Sequence, residues 1–193
     1  MLKINLGIAF VLAVLIMGFY ALTTIKPTPS GGPFSLNTVD GPISLDDFNG
    51  QWLVLYFGYA SCPDVCPTDL ARWNQVFNQL HKEGVHDIAM MFVSVDFERD
   101  TPELLAQYAQ YFNPNFKAAT ADQTEITQVA QAYGVTWEKV YQSNSAMSYS
   151  IDHSTYSYLI NPDGKLVRMF KQTTAVEALT NEIQKQMREF QSI

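Results

Sequence analysis

Apolar residues fall into two patterns along this chain, one long uncharged run near the start and then shorter runs cut by turn residues. The first run, 4–25, carries no charged side chain and is bracketed by Lys3 and Lys26. As a helix it would rise about 33 Å, which matches a hydrocarbon core of roughly 30 Å. The pattern therefore predicts a transmembrane anchor over 1–25, in contact with the membrane through 4–25. A cleaved signal peptide fits less well, because the run is long for an h-region and Tyr20-Ala21-Leu22-Thr23 contains no clean small-x-small site. Lys26-Pro27-Thr28-Pro29-Ser30-Gly31-Gly32-Pro33 continues neither helix nor strand, so 26–33 reads as a linker. A single domain is expected over 34–193.

Within that domain, 34–45 reads as a small hairpin turning at Asp40-Gly41, and 52–59 as a buried strand. A helix is predicted over 67–81 with Pro67 in its first turn, where a missing N–H costs nothing. The nearly unbroken apolar stretch 88–95 predicts a strand buried on both faces, with Met90 and Met91 in the core. Thr101-Pro102-Glu103 supplies a cap, a pre-set first residue and a favourable charge for a helix reaching about 112. A further helix over 124–133 closes at Gly134. Strands over 156–160 and 166–170 flank the turn Asn161-Pro162-Asp163-Gly164, and a last helix covers 175–190. Such alternation predicts an α/β layer fold, a central mixed sheet flanked by helices, in an order that matches the thioredoxin pattern.

Charge narrows the partners. Beyond Lys26, 10 basic residues stand against 19 acidic ones, a formal charge of −9. Nucleic acid and anionic lipid surfaces are poor partners for such a domain, whereas a metal cation or a basic protein suits it. One lysine lies on each side of the anchor, and the free amino terminus tips the balance inward. That places the domain outside the cytoplasm. With no Arg- and Ser-rich presequence, a bacterial inner membrane with a periplasmic domain is expected ahead of a mitochondrial inner membrane.

The only two cysteines occur in Ser61-Cys62-Pro63-Asp64-Val65-Cys66-Pro67, between a predicted strand and a predicted helix. Helix N-termini favour thiolate over thiol. A structural disulfide across so short a loop would stabilise the domain little. Thiol–disulfide exchange through Cys62 and Cys66 is a second reading, although it usually employs C-x-x-C. Residues at i and i+4 of a helix share a face with β-carbons about 5–6 Å apart, a spacing that lets two sulfurs share one ion. Metal binding is thus the third reading, and it needs another ligand. His81 and His86 flank the polar turn Lys82-Glu83-Gly84-Val85 and read as exposed turn residues. His153, at the mouth of strand 156–160, is where a thioredoxin-like fold would turn a loop toward the thiols. Met147 reads as a loop residue in a polar stretch. Two thiolates and one imidazole form a soft set suited to Cu(I) and able to hold Cu(II), whereas zinc normally takes a fourth ligand. Asp64 and Asp69 read as favourable charges at the helix N-terminus.

Three segments carry a resemblance. Phe57-Gly58-Tyr59-Ala60-Ser61-Cys62-Pro63-Asp64-Val65-Cys66-Pro67, then Ser94-Val95-Asp96-Phe97-Glu98-Arg99-Asp100-Thr101-Pro102, then Asp152-His153-Ser154 with Leu159-Ile160-Asn161-Pro162-Asp163-Gly164 occur in order. Together they resemble the SCO/SenC family of membrane-anchored copper-binding proteins, which have a thioredoxin-like fold. The resemblance implies one copper ion per domain, held by Cys62, Cys66 and His153. It further implies a metallochaperone that delivers copper to the binuclear copper centre of cytochrome c oxidase subunit II, or reduces that centre's cysteines. A copper donor protein and a thiol reductant would be further partners. Ala60 stands where threonine is usual in the family, Phe97 where proline is usual, and Ala119-Thr120-Ala121 where Leu-Thr-Gly is common. Two alternatives remain beside a chaperone without catalytic turnover: a thiol-disulfide oxidoreductase acting on partner cysteines, and a copper or redox sensor. Against the enzyme, Ser154-Thr155-Tyr156-Ser157 lacks the proline that thioredoxin-type enzymes usually carry before the strand facing the thiols.

Overall fold

The computed structural model describes residues 10, 12–17, 29–141 and 148–192. Most of the predicted anchor lies outside the described residues. Among those described, no helix is long and apolar enough to cross a membrane. Residues 29–33 form neither helix nor strand, but they are tied to the domain, since the Gly31 N–H donates to the Ala132 carbonyl and the Tyr133 hydroxyl to the Gly32 carbonyl.

The chain first forms the hairpin β1 (Ser35–Thr38) and β2 (Gly41–Ser44), then a short 3-10 turn, Leu45–Phe48. β3 (Trp52–Gly58) follows, buried at every position. Next come α1 (Val65–Lys82), β4 (Ile88–Ser94), α2 (Pro102–Phe112), β5 (Lys117–Ala119) and α3 (Gln123–Ala132). A second hairpin, β6 (Trp137–Tyr141) and β7 (Tyr149–His153), precedes β8 (Tyr156–Ile160), β9 (Leu166–Lys171) and α4 (Val176–Gln191). Five strands form the central sheet in the order β5-β4-β3-β8-β9, with β3, β4 and β5 parallel and β8 and β9 joining antiparallel. This is the mixed sheet the sequence predicts.

Local chemistry accounts for most boundaries. The Thr101 hydroxyl accepts from the Leu104 N–H and the Asp122 carboxylate from the Glu125 N–H, so α2 and α3 start at side-chain caps. The central β3 and β4 lack polar alternation because both faces are covered. Met90 and Met91 are fully buried, as expected for core residues.

Three features depart from the sequence reading. Helix α1 begins at Val65, so Cys66 lies in its first turn while Cys62 remains in the preceding loop. The two sulfurs therefore do not project from one helix face; they face each other across the helix start. β5 is a three-residue edge strand without β-branched residues, held by its register with β4. β6 and β7, to which the sequence reading assigned no element, pair with each other outside the central sheet.

The indole of Trp73, fully buried on α1, donates to the Ser157 hydroxyl on β8 at 2.9 Å. This bond joins the helix that carries Cys66 to the strand that follows His153. Trp73→Phe leaves Ser157 without a partner and a gap beside Phe170, whose ring centroid lies 6.0 Å away. It should cost about 2–4 kcal/mol, read as a lower urea midpoint at unchanged slope. An unchanged midpoint would contradict this packing.

Candidate metal centre

The C-terminal ends of β3 and β4 and the N-terminal end of β8 lie at the same edge of the sheet. Beyond β3 the chain turns, with the Cys62 N–H donating to the Tyr59 carbonyl at 3.3 Å. The Asp100 carboxylate braces this turn by accepting from the Ala60 N–H at 2.8 Å and from the Ser94 hydroxyl at 2.6 Å. The Cys66 N–H, which has no partner within the helix in this first turn, points at the Cys62 sulfur from 3.4 Å. The helix start thus stabilises negative charge on Cys62.

His153 closes the site from the end of β7. Its Nδ1 lies 3.0 Å from the Ser154 carbonyl. A carbonyl only accepts, so Nδ1 carries a proton, and Nε2 faces the Cys66 sulfur at 3.6 Å, the nitrogen left to coordinate a metal. The Tyr59 ring meets the imidazole edge-on at 6.0 Å. The Cys62, Cys66 and His153 donor atoms all lie within 4.8 Å of one another. Cys66 is fully buried and the other two are partly exposed, beside an open groove of about 330 Å³ lined by Tyr59, Pro63, Asp64 and Ile151. A metal ion or a partner's sulfur can approach along it.

Both cysteines are free thiols, and their environments separate them. A hydrogen bond from Cys66, with help from His153 and the backbone N–H groups of Cys66 and Asp64, holds the Cys62 thiol far below its ordinary range against the opposing effect of burial. Sharing that bond pushes Cys66 the other way, and burial and the charge on Cys62 add to the shift. The outer sulfur, Cys62, is thus the one that ionises first.

Asp69 corrects the sequence reading. One turn after Cys66, it shares the inward face of α1 with Leu70 and Trp73 and is fully buried, ion-paired with Arg72 at 2.5 Å. Burial raises its carboxyl to about 6, with Arg72 opposing. Asp64 stays exposed at the helix start and makes no side-chain cap bond. At the far end of α1, the His81 and His86 rings face each other with centroids 5.2 Å apart, His81 half-buried and His86 exposed. Met147 lies outside the described residues.

Gly58 is a determinant the motif reading left without a role. A β-carbon there would lie 2.7 Å from the Cys66 sulfur and 2.8 Å from the Phe92 ring. A glycine closing an apolar strand is itself a signal of close approach. Asp100 and Ser94 were visible only as parts of a motif, because their bracing role depends on the loop beside them.

The donor set fits copper: two sulfurs and one imidazole nitrogen converge, with no fourth His, Cys or acidic ligand grouped with them among the described residues. The family model described as SCO1/SenC matches residues 23–188. The chain belongs to the SCO1/SenC family. It is 38% identical over 162 residues to the human mitochondrial protein SCO1 homolog, covering 83% of this chain and 54% of the human one, so it spans about half that relative's length. Among solved structures, Arabidopsis thaliana ScoI with copper bound is 33% identical with a TM-score of 0.78, over 82% of this chain and 98% of that one. Bradyrhizobium japonicum ScoI with copper bound is 32% identical with a TM-score of 0.72, over 80% and 98%. The thioredoxin-like fold read from element order is the fold these SCO structures share.

Two outcomes are expected. Gly58→Ala forces Cys66 or Phe92 to shift and should destabilise the domain by about 1–3 kcal/mol; urea unfolding at the parent's midpoint would contradict the close approach. Because the folded state keeps Cys62 ionised as pH falls, its alkylation by iodoacetamide should change little between pH 8 and pH 5. An ordinary thiol, with pKa about 8.5, would slow by about tenfold per unit. A tenfold-per-unit decline would show that Cys62 is not held as thiolate.

Proposed function

We propose that this chain is a membrane-anchored metallochaperone that holds one copper ion through Cys62, Cys66 and His153. It would pass that ion to the binuclear copper centre of cytochrome c oxidase subunit II, or prepare that centre's cysteines. The observation that carries the reading is the convergence of two sulfurs and one imidazole nitrogen within 4.8 Å. Membership of the family and its copper-bound relatives support it. Residues 1–25 would anchor the chain in a bacterial inner membrane, with the domain in the periplasm.

The residues explain how copper is taken up and given away. Cys62 already offers a thiolate, so the first bond needs no deprotonation. The proton held on Cys66 must leave as the second sulfur binds, which links loading to pH and to a reduced thiol pair. His153 sits on a hairpin separate from the sheet and completes the set. The groove beside Cys62 leaves room for an acceptor's ligand, so transfer proceeds by ligand exchange.

The asymmetry of the two thiols favours one further reading, a thiol-disulfide oxidoreductase. The Cys62 thiolate would attack a partner's disulfide and form a mixed disulfide, releasing one partner thiolate. Cys66, once deprotonated, would then attack Cys62, leaving the Cys62–Cys66 disulfide and a fully reduced partner.

The full chain in detergent, reduced under anaerobic conditions and titrated with Cu(I) against a chelator, separates the readings. One tightly held copper is expected, with at least tenfold weaker binding in His153→Ala and no tight binding in Cys62→Ser. Failure to compete, with rapid reduction of a test disulfide, would overturn the chaperone in favour of the oxidoreductase.

A further inference from the structure

His153 belongs to a hairpin that pairs with no strand of the central sheet, yet its imidazole must meet sulfurs carried by β3 and α1. The loop leaving β4 supplies the connection. Asp96, fully buried, accepts from the Tyr149 hydroxyl at 2.7 Å. Phe97 meets the Trp137 ring edge-on at 5.8 Å. Glu98 pairs with Lys139 at 2.6 Å, and Lys139 lies over the Tyr149 ring at 4.6 Å. Arg99 donates to Asp96 at 2.5 Å and to the Tyr149 carbonyl at 3.0 Å. Its guanidinium lies 3.7 Å from the Tyr149 ring centroid and 5.9 Å from that of Tyr59. Four consecutive residues thus each hold a hairpin residue.

The same loop continues to Asp100, which braces the cysteine turn at Ala60. Trp137, held by Phe97, is the residue paired with His153 across the hairpin, and Tyr59, beside Arg99, packs on the imidazole. One short segment therefore grips both pieces of chain that carry the donor atoms. We propose that the loop from Asp96 to Arg99 is the positioning element of the copper centre, with Arg99 as its central positioning residue, and that it determines whether His153 joins the two sulfurs on the metal. This rests on the copper-binding reading of the site. Phe97 gives the loop an aromatic grip on Trp137.

Removing Arg99 alone would leave Asp96 buried and unpaired, so the test uses Asp96→Asn/Arg99→Met, which removes both charges. Tyr149→Phe, which deletes one hydroxyl, is the second variant should the first fail to fold. In the full chain, Cu(II) electron paramagnetic resonance reads imidazole nitrogen coupling, and competition titration reads affinity. The paired variant should lose the nitrogen coupling and bind copper about 10- to 100-fold more weakly, and Tyr149→Phe should weaken both in the same direction. Parental coupling and affinity in a folded variant would overturn the proposal. A metal-free readout keeps it separate from the copper reading: the nuclear Overhauser contact between His153 and Tyr59 should be present in the parent and weakened in a folded variant. Its persistence there would overturn the clamp, whereas a parent that binds no copper would overturn the functional reading.

Discussion

The antiparallel pairing of β8 with β3 is the constraint on which the site depends. Cys66 and His153 are 87 residues apart in sequence, and the register that sets Tyr56 opposite Ser157 brings the end of one segment over the end of the other. A one-residue slip would turn the alternate side chains of β8 to the opposite face. It would exchange Ser157, which is bonded to Trp73, with a tyrosine whose hydroxyl stands a ring's length further from the backbone. Register, the Trp73 bond and burial of the sheet therefore point to the same arrangement. Cys62, Cys66 and His153 inherit their positions from this packing.

On that frame the chain places a polar site against a tightly packed interior. Gly58 leaves space for the Cys66 sulfur, and Asp100 braces the cysteine turn. Burial alone would keep both thiols protonated. The Cys66 thiol, His153 and the N-terminal N–H of Cys66 act on the outer sulfur strongly enough to reverse that for Cys62. The result is a pair with one ready thiolate and one inner thiol that gives up its proton only when something replaces it. Both metal capture and thiol exchange start from such a pair. The imidazole beside it favours the metal.

Much of this was legible in the residues. The unbroken apolar runs in β3 and β4, the Thr101-Pro102-Glu103 helix start, and the Asn161-Pro162-Asp163-Gly164 turn each carry a local signal strong enough to identify an element. The cysteines and His153 stood out because a strand-to-helix turn and a facing strand mouth are where such a fold gathers chemistry. β5 did not show because three residues of a sheet edge have no period to read. The β6–β7 hairpin was missed because its residues are largely half-buried or exposed and its cohesion comes from the loop Asp96–Arg99, far away in sequence. Asp69 was misread for the opposite reason: an acid near a helix start usually faces water, and only the inward phase of α1, set by Cys66 and Trp73, reveals that this one does not.

In the copper reading proposed above, sulfur and nitrogen from two separate segments meet on one ion. Copper-edge X-ray absorption of the Cu(I)-loaded full chain tests it most directly, since it reads the bound atoms without assuming which residues supply them. Two sulfur scatterers and one imidazole nitrogen are expected, with the imidazole's outer-shell scattering lost in His153→Ala. A first shell of sulfur alone, or of nitrogen and oxygen alone, would contradict it.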